Sequence, residues 1–156
     1  MTRDAAVEGA MKSIDSMRAA SDETILSSVT AIEAIVYAPH SANRLSAAEM
    51  GTILRYADQI VTLAGTFGYQ SLDMATRSLC DITDGLLGTG IDHIAPIAVH
   101  VQAIRLMAPG GPSLSGAETA KVLDELAKIL THFELSSIST KHAGQDIAVA
   151  VIAEGH

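Results

Sequence analysis

Residues 46–72, SAAEMGTILRYADQIVTLAGTFGYQSL, decide the fold of this chain. Ser46 and Glu49 form a capping box, in which the hydroxyl and the carboxylate each bind one free amide of the first helical turn. Apolar side chains then recur at steps of three and four, which is typical of a helix with one buried face. This inward stripe consists of Met50, Ile53, Ala57, Ile60, Ala64 and Phe67. Gly65 and Gly68 predict that the helix ends at a tight turn.

Three further helices are predicted after this turn, because apolar side chains keep the same spacing. Their inward stripes begin at Leu72, Ile94 and Leu123. The loop 108–112 separates the last two helices, and a second capping box, from Ser115 to Glu118, opens the last one. Short connections suit antiparallel neighbours, so the sequence predicts an all-α protein with an antiparallel four-helix bundle over about residues 46–133.

Additional N-terminal helices are predicted before this bundle. Ser21 has the position of an N-cap, with acidic residues directly after it. The helix that it would open carries the stripe Ile25, Val29, Ile32 and Val36. A separate helix is predicted from Asp4 to about Arg18, with Val7, Met11 and Ile14 on one stripe.

The chain changes character after Leu135. The polar run SSISTKHAGQ is followed at 146–153 by DIAVAVIA, which is apolar and rich in β-branched side chains. This segment could be a strand, a docked tail or a partner-binding segment, and the sequence leaves the three open. The predicted organisation is an N-terminal helix (1–20), a helical bundle (21–135) and a short C-terminal tail (136–156).

Composition excludes several classes of protein. Hydrophobic residues make up 48% and charged residues 18%, so most of the chain can fold around a core. Aromatic residues make up only 3%, which favours closely packed helices over a sheet sandwich. One cysteine, Cys80, excludes a disulfide framework, and a formal charge of −8 argues against a nucleic-acid partner. A polar N-terminus without a long apolar run predicts a cytoplasmic protein that does not span a membrane.

Residues 58–68, DQIVTLAGTFG, resemble the signature of histidine phosphotransfer (HPt) domains. That signature runs His, any residue, Leu, Lys, Gly and small residues, and it ends in an aromatic or aliphatic residue and Gly, with Leu one turn later. The matching positions are Ile60, Ala64, Gly65, Phe67, Gly68 and Leu72. The resemblance covers roughly residues 22–133 and implies the antiparallel four-helix bundle of the family. It also implies a receiver domain or a histidine kinase of bacterial two-component or chemotaxis signalling as the partner.

The chain departs from the signature where the phosphorelay chemistry resides. Asp58 stands at the position of the phosphate-accepting His, Val61 at that of the supporting Lys, and Thr62 at that of the Gly. Phosphotransfer needs an exposed imidazole as nucleophile and a nearby cation to neutralise the phosphoryl oxygens. The resemblance therefore implies a signalling adaptor that is not an enzyme and transfers no phosphate at this site. Its partner-binding face would comprise Arg55, Asp58, Gln59 and Thr62. The alternative is a solvated helix face on which Arg55 pairs with Asp58.

The six histidines suggest no metal or cofactor site, because neither Glu-x-x-His nor His-x-x-x-His occurs in the sequence. His100 borders the inward stripe of its predicted helix, and two interpretations stay open. It could be an alternative phosphate acceptor, or a core histidine that is bonded to a carbonyl or a side chain.

A second hypothesis for the whole chain is a structural or oligomerising helical module that is unrelated to phosphorelay. In that hypothesis an apolar patch, such as residues 146–153, mediates self-association of the chain into a homo-oligomer.

Overall fold

The structure, a computed structural model, describes residues 2–90 and 92–133, and helices make up most of this part of the chain. A short 3₁₀ turn at Ser41–Asn43 lies between the first two helices, and the described residues contain no strand. The five helices are α1 (Arg3–Val36), α2 (Ala47–Phe67), α3 (Gln70–Thr89), α4 (Ala95–Met107) and α5 (116–133). The predicted all-α class is confirmed.

Helices α1 to α4 pack around one core in a closed ring, in which α1 and α3 each contact both α2 and α4. The predicted stripes meet inside this ring, and Ile53, Ile60 and Leu79 are each fully buried. Ala57 and Ala75 are also fully buried, and their small side chains allow α2 and α3 to approach closely. The core is therefore aliphatic, as the low aromatic content predicts.

The fifth helix lies over α3 and α4. Leu126 is buried in the common core, and Leu123, Leu130 and Phe133 pack against that core with part of their surface exposed. The ring includes the second half of α1, which a bundle over residues 46–133 leaves out. This half of α1 lies within the predicted bundle range of 21–135, and the relation of the fold to HPt domains remains a prediction.

The break predicted at Ser21 does not exist, because α1 is continuous from Arg3 to Val36. Its N-cap is Thr2, whose Oγ1 accepts a hydrogen bond from the Ala5 amide at 3.1 Å. Ser21 lies in the helix interior, where its buried Oγ has no hydrogen-bond partner among the described residues. Neither glycine nor proline stands near Ser21 to stop a helix, so the turns on either side of it join. The prediction of an N-cap there is wrong.

The stripe predicted in the N-terminal half of α1 is exposed. Val7 is 55% exposed, Met11 53% and Ile14 46%, so no part of the described chain covers them. The spacing of these side chains is amphipathic, but α2, which packs on the second half of α1, ends at Phe67 beside Arg18 and does not reach them.

Both predicted capping boxes are confirmed. Ser46 Oγ accepts a hydrogen bond from the Glu49 amide at 3.1 Å, and Glu49 Oε1 accepts one from the Ser46 amide at 2.9 Å. These bonds favour the ionised carboxylate and lower the pKa of Glu49. Ser115 and Glu118 form the same pair of bonds at the start of α5.

A tight turn joins α2 to α3, as predicted. Gly68 has a φ of 78°, in the left-handed region that glycine adopts without strain, and α3 begins two residues later. Arg18 of α1 donates a hydrogen bond to the Phe67 carbonyl at 3.1 Å, which places a cation at the negative end of α2. The Tyr69 hydroxyl donates to Asp22 at 2.6 Å, so the turn is bonded to α1 on both sides.

None of the described helices is both long enough and apolar enough to cross a membrane. The segment 146–153, for which three interpretations are open, lies outside the described residues.

Candidate functional site

The predicted partner-binding face lies on the outer side of α2. All four of its side chains, Arg55, Asp58, Gln59 and Thr62, are exposed. The opposite side of the helix buries Ile53, Ala57 and Ile60 against the core. A helix with 3.6 residues per turn separates these two sets, so burial of one set requires exposure of the other. Residue 58 therefore has the outward position that the HPt resemblance requires.

Short-range bonds hold this face in shape. Ser28 of α1 donates a hydrogen bond to Gln59 Oε1 at 3.0 Å, which ties the face to the neighbouring helix. Thr62 donates to the Asp58 carbonyl at 3.0 Å, so its hydroxyl is used within α2. The Arg55 guanidinium lies 5.8 Å from the centre of the Tyr56 ring. Among the ion pairs of the described residues, none joins Arg55 to Asp58, so the pair that the solvated-face alternative expects is not formed.

A shallow cavity of about 220 Å³ lies beside Asp58, between α2 and α3. Its lining consists of Asp58, Val61, Arg77, Cys80 and Asp81. Arg77 Nε donates to both carboxylate oxygens of Asp73 at 3.1 Å, which orients its guanidinium along α3. A cation thus lies in the same cavity as residue 58, although Val61 has replaced the lysine of the HPt signature.

The apolar spacing in the sequence did not identify Arg77 and Asp81 as neighbours of Asp58. They are about 20 residues from Asp58 along the chain, and only the turn at Gly68 brings the two helices side by side. Asp58 lies ten residues before Gly68, so the residues that lie about ten positions after Gly68, which are 77 to 80, should be opposite it in the hairpin. The register of the α2–α3 hairpin could therefore have identified Arg77 and Asp81 from the sequence.

Cys80 in this cavity is a poor nucleophile. Burial and, after it, the negative charges of Asp58, Asp81 and Asp84 raise the pKa of its thiol to about 11. The thiol therefore stays protonated at neutral pH, whereas a reactive cysteine needs the thiolate. With carboxylates, one guanidinium and a protonated thiol, the cavity can bind a partner through mixed charges but offers no activated nucleophile.

The chain was compared with protein-family models, curated proteins and solved structures. None of them matches it. The HPt resemblance therefore depends on the residues around the α2–α3 turn, and membership of that family stays a prediction.

His100 is fully buried inside the ring, which confirms the core interpretation and corrects the candidate phosphate acceptor. Its Nδ1 lies 2.7 Å from the Pro96 carbonyl and its Nε2 lies 2.8 Å from Ser78 Oγ. A carbonyl can only accept, so Nδ1 carries the proton and Nε2 accepts from the Ser78 hydroxyl. Burial lowers the pKa of the ring, which is therefore neutral. Both nitrogens are engaged and neither faces solvent, so an incoming phosphoryl group cannot reach them.

The described residues contain no group of three or more His, Cys, Asp or Glu side chains that could hold a metal ion. His93 is exposed and His40 lies at the foot of α2, where its Nδ1 is 3.5 Å from Glu49 Oε2. The histidines of this part of the chain are thus dispersed, and each has a separate environment.

Proposed function

We propose that this chain is a non-catalytic HPt-like adaptor of the bacterial cytoplasm. It binds a receiver domain or a histidine kinase of a two-component or chemotaxis pathway, and it transfers no phosphate at residue 58. The exposed mid-helix position of Asp58 is the observation that carries this proposal.

The chemistry around residue 58 supports binding without transfer. Asp58 carries a negative charge where a phosphate acceptor would need a neutral nitrogen, and that charge repels a phosphoryl group. Cys80 is protonated at neutral pH, and His100 is enclosed. The face carries one cation, Arg55, and Arg77 of α3 supplies a second one in the adjoining cavity. A partner with a mixed-charge surface would find complementary groups on both helices.

The proposal is tested by the affinity of the full chain for receiver domains and histidine-kinase cores encoded in the same genome. Asp58→Arg reverses the charge at the centre of the face and should weaken binding at least about tenfold. Asp124→Arg is the matched control, because Asp124 is 66% exposed on α5 and lies outside the proposed face. We expect the control to bind as the parent chain does. Absence of binding to every receiver and kinase, or equal losses in the two variants, would refute the proposal.

A second measurement separates an adaptor from an active phosphotransfer protein. Incubation with a phosphorylated receiver should leave no acid-labile phosphate on this chain. Phosphate found on His93 or His100 would show that the chain relays phosphate from another position, and it would overturn the non-catalytic assignment.

A structural module that self-associates is the second candidate function. The exposed apolar side chains in the first half of α1 favour it, since they form a continuous stripe. Self-association and adaptor binding use different surfaces, so the two candidates are tested independently.

A further inference from the structure

The first half of α1 extends beyond the ring of helices. Residues 3–20 are all exposed, and at 1.5 Å per residue they form a projection about 27 Å long. The projection begins beside the α2–α3 turn, where Arg18 bonds to the Phe67 carbonyl. We call residues 3–20 the α1 extension.

The extension presents the same helix face as the buried half of α1. Eighteen residues make five full helical turns, so two residues separated by eighteen positions lie on one line along the helix. Three exposed apolar residues have a buried core residue at this separation. The pairs are Val7 with Ile25, Met11 with Val29, and Ile14 with Ile32. The first member of each pair is 46–55% exposed and the second at most 1%.

This repeat indicates that the face of the extension is built to be covered. In the second half of α1 the face packs against α2 and α4. The α2 helix ends beside Arg18, and beyond that point the pattern continues with no cover from the described residues. An isolated helix of this length is marginally stable in water, and Gly9 weakens it further.

We propose that the α1 extension pairs antiparallel with the α1 extension of a second copy of this chain, with Met11 close to the two-fold axis. Such a dimer is isologous, since the same surface contributes from both copies. Val7 of one copy then lies opposite Ile14 of the other, and the two stripes cover each other.

The antiparallel direction follows from the position of the α2–α3 turn. In a parallel pair, the second helix would continue past Arg18 along the face that α2 already occupies. In the antiparallel pair, the second helix ends near Arg18, where α2 begins to cover the face. The two α1 extensions therefore pair along their whole length without meeting α2 of either copy.

Charge favours the same arrangement. The extension carries three basic and three acidic side chains and is neutral, whereas the remaining residues carry the whole formal charge of −8. The antiparallel pair brings the neutral segments together and holds the two acidic bodies at opposite ends. It also places Asp4 near Arg18 of the second copy. Glu8 then lies near Asp15 of the second copy, a repulsion that added salt screens.

The size of this interface sets the expected affinity. Four large apolar side chains contribute from each copy, including Met17 at 61% exposure. Stable complexes bury about 1,200–2,000 Å² in total, and two short helices reach only the lower end of that range. We expect a weak dimer that forms with increasing protein concentration.

Sedimentation velocity of the full chain, over about a hundredfold range of concentration, tests the proposal. The parent chain should shift from monomer to dimer. Met11→Lys should weaken the dimer at least about tenfold, because it places a charge at the centre of the interface. Ser16→Lys is the matched control, since it introduces the same charge on the opposite side of the extension and should leave the dimer unchanged. Met11 and Ser16 are both exposed and lie outside the ring of helices, so both variants should keep the thermal stability of the parent.

The antiparallel direction of the pairing is tested by disulfide cross-linking of variants that also carry Cys80→Ser. An antiparallel pair should cross-link the double variant with Val7→Cys and Ile14→Cys, and should not cross-link Val7→Cys alone. The proposal is overturned by a chain that stays monomeric at every concentration, by a dimer that Met11→Lys leaves intact, or by efficient cross-linking of Val7→Cys alone. A dimer that is lost only when residues 146–153 are deleted also contradicts it.

Discussion

The buried His100 predicts that this protein loses stability when the pH falls below the ordinary pKa of histidine. In the unfolded chain the imidazole titrates near 6.5, whereas burial lowers its pKa in the folded chain. Below pH 6.5 the unfolded chain therefore binds more protons than the folded chain, and acid favours unfolding. The loss of stability begins near pH 6.5. It stops once the pH is below the pKa of His100 in the folded chain, because the imidazole is then protonated in both the folded and the unfolded chain.

The size of this loss of stability follows from the difference between the pKa of His100 in the folded chain and in the unfolded chain. Within that window the free energy of unfolding falls by at most about 1.4 kcal/mol per pH unit for this one group. Protonation leaves the bond from Nδ1 to the Pro96 carbonyl in place, but it turns Nε2 from an acceptor into a donor. The Ser78 hydroxyl can rotate to accept, so the main cost is the transfer of a charge into a fully buried site.

Urea unfolding followed by circular dichroism, from about pH 7.5 to about pH 5.5, measures the effect around the ordinary histidine pKa. His100→Gln removes the titrating group and should flatten the dependence of unfolding free energy on pH, whatever its own stability. His93→Gln is the control, because His93 is exposed, and its slope should equal that of the parent chain. Parallel slopes for His100→Gln and the parent would refute the assignment of His100 as a buried neutral base.

Three further experiments test the fold. Gly68→Ala should destabilise the chain by about 1–2 kcal/mol in thermal unfolding, because φ of residue 68 is 78°. Gly65→Ala is the comparison, because residue 65 lies in the interior of α2, and this change should stabilise the chain by about 0.5–1 kcal/mol. An added Cβ meets no atom at either position, so equal effects would contradict the backbone argument. A double-mutant cycle on Glu33 and Arg105, whose Nε–Oε2 distance is 3.1 Å, should give a coupling of about 1 kcal/mol that declines with salt. Leu79→Ala should cost about 2–5 kcal/mol in urea unfolding, and a smaller loss would contradict its place in the core.

The helices and their buried faces were predictable because they depend on neighbours three and four positions away. The capping boxes at Ser46 and Ser115 require only residues within one turn, and both occur as the sequence predicts. The end of α2 at Gly68 likewise follows from one residue that tolerates a positive φ. The exposure of Asp58 followed from the phase of the apolar stripe, since one face of the helix had to be buried.

The candidate site was predictable only in part. Asp58 and its neighbours on α2 share one helix face, and the sequence placed them correctly on the outside. The pairing of that face with Arg77 and Cys80 depends on the register between α2 and α3. Hydrophobic spacing describes one helix at a time and carries no information about which residue of the next helix lies opposite.

By itself, the sequence determined that this protein is all-α, where most helices begin and end, and which side chains of α2 and α3 are buried. Only the tertiary structure decided that Ser21 continues a helix, that His100 is enclosed and that Val7, Met11 and Ile14 are uncovered. The physical reason is that an apolar stripe is buried only along the length over which another helix packs on it. That length is set by where α2 and α3 turn back, more than 40 residues away in the chain.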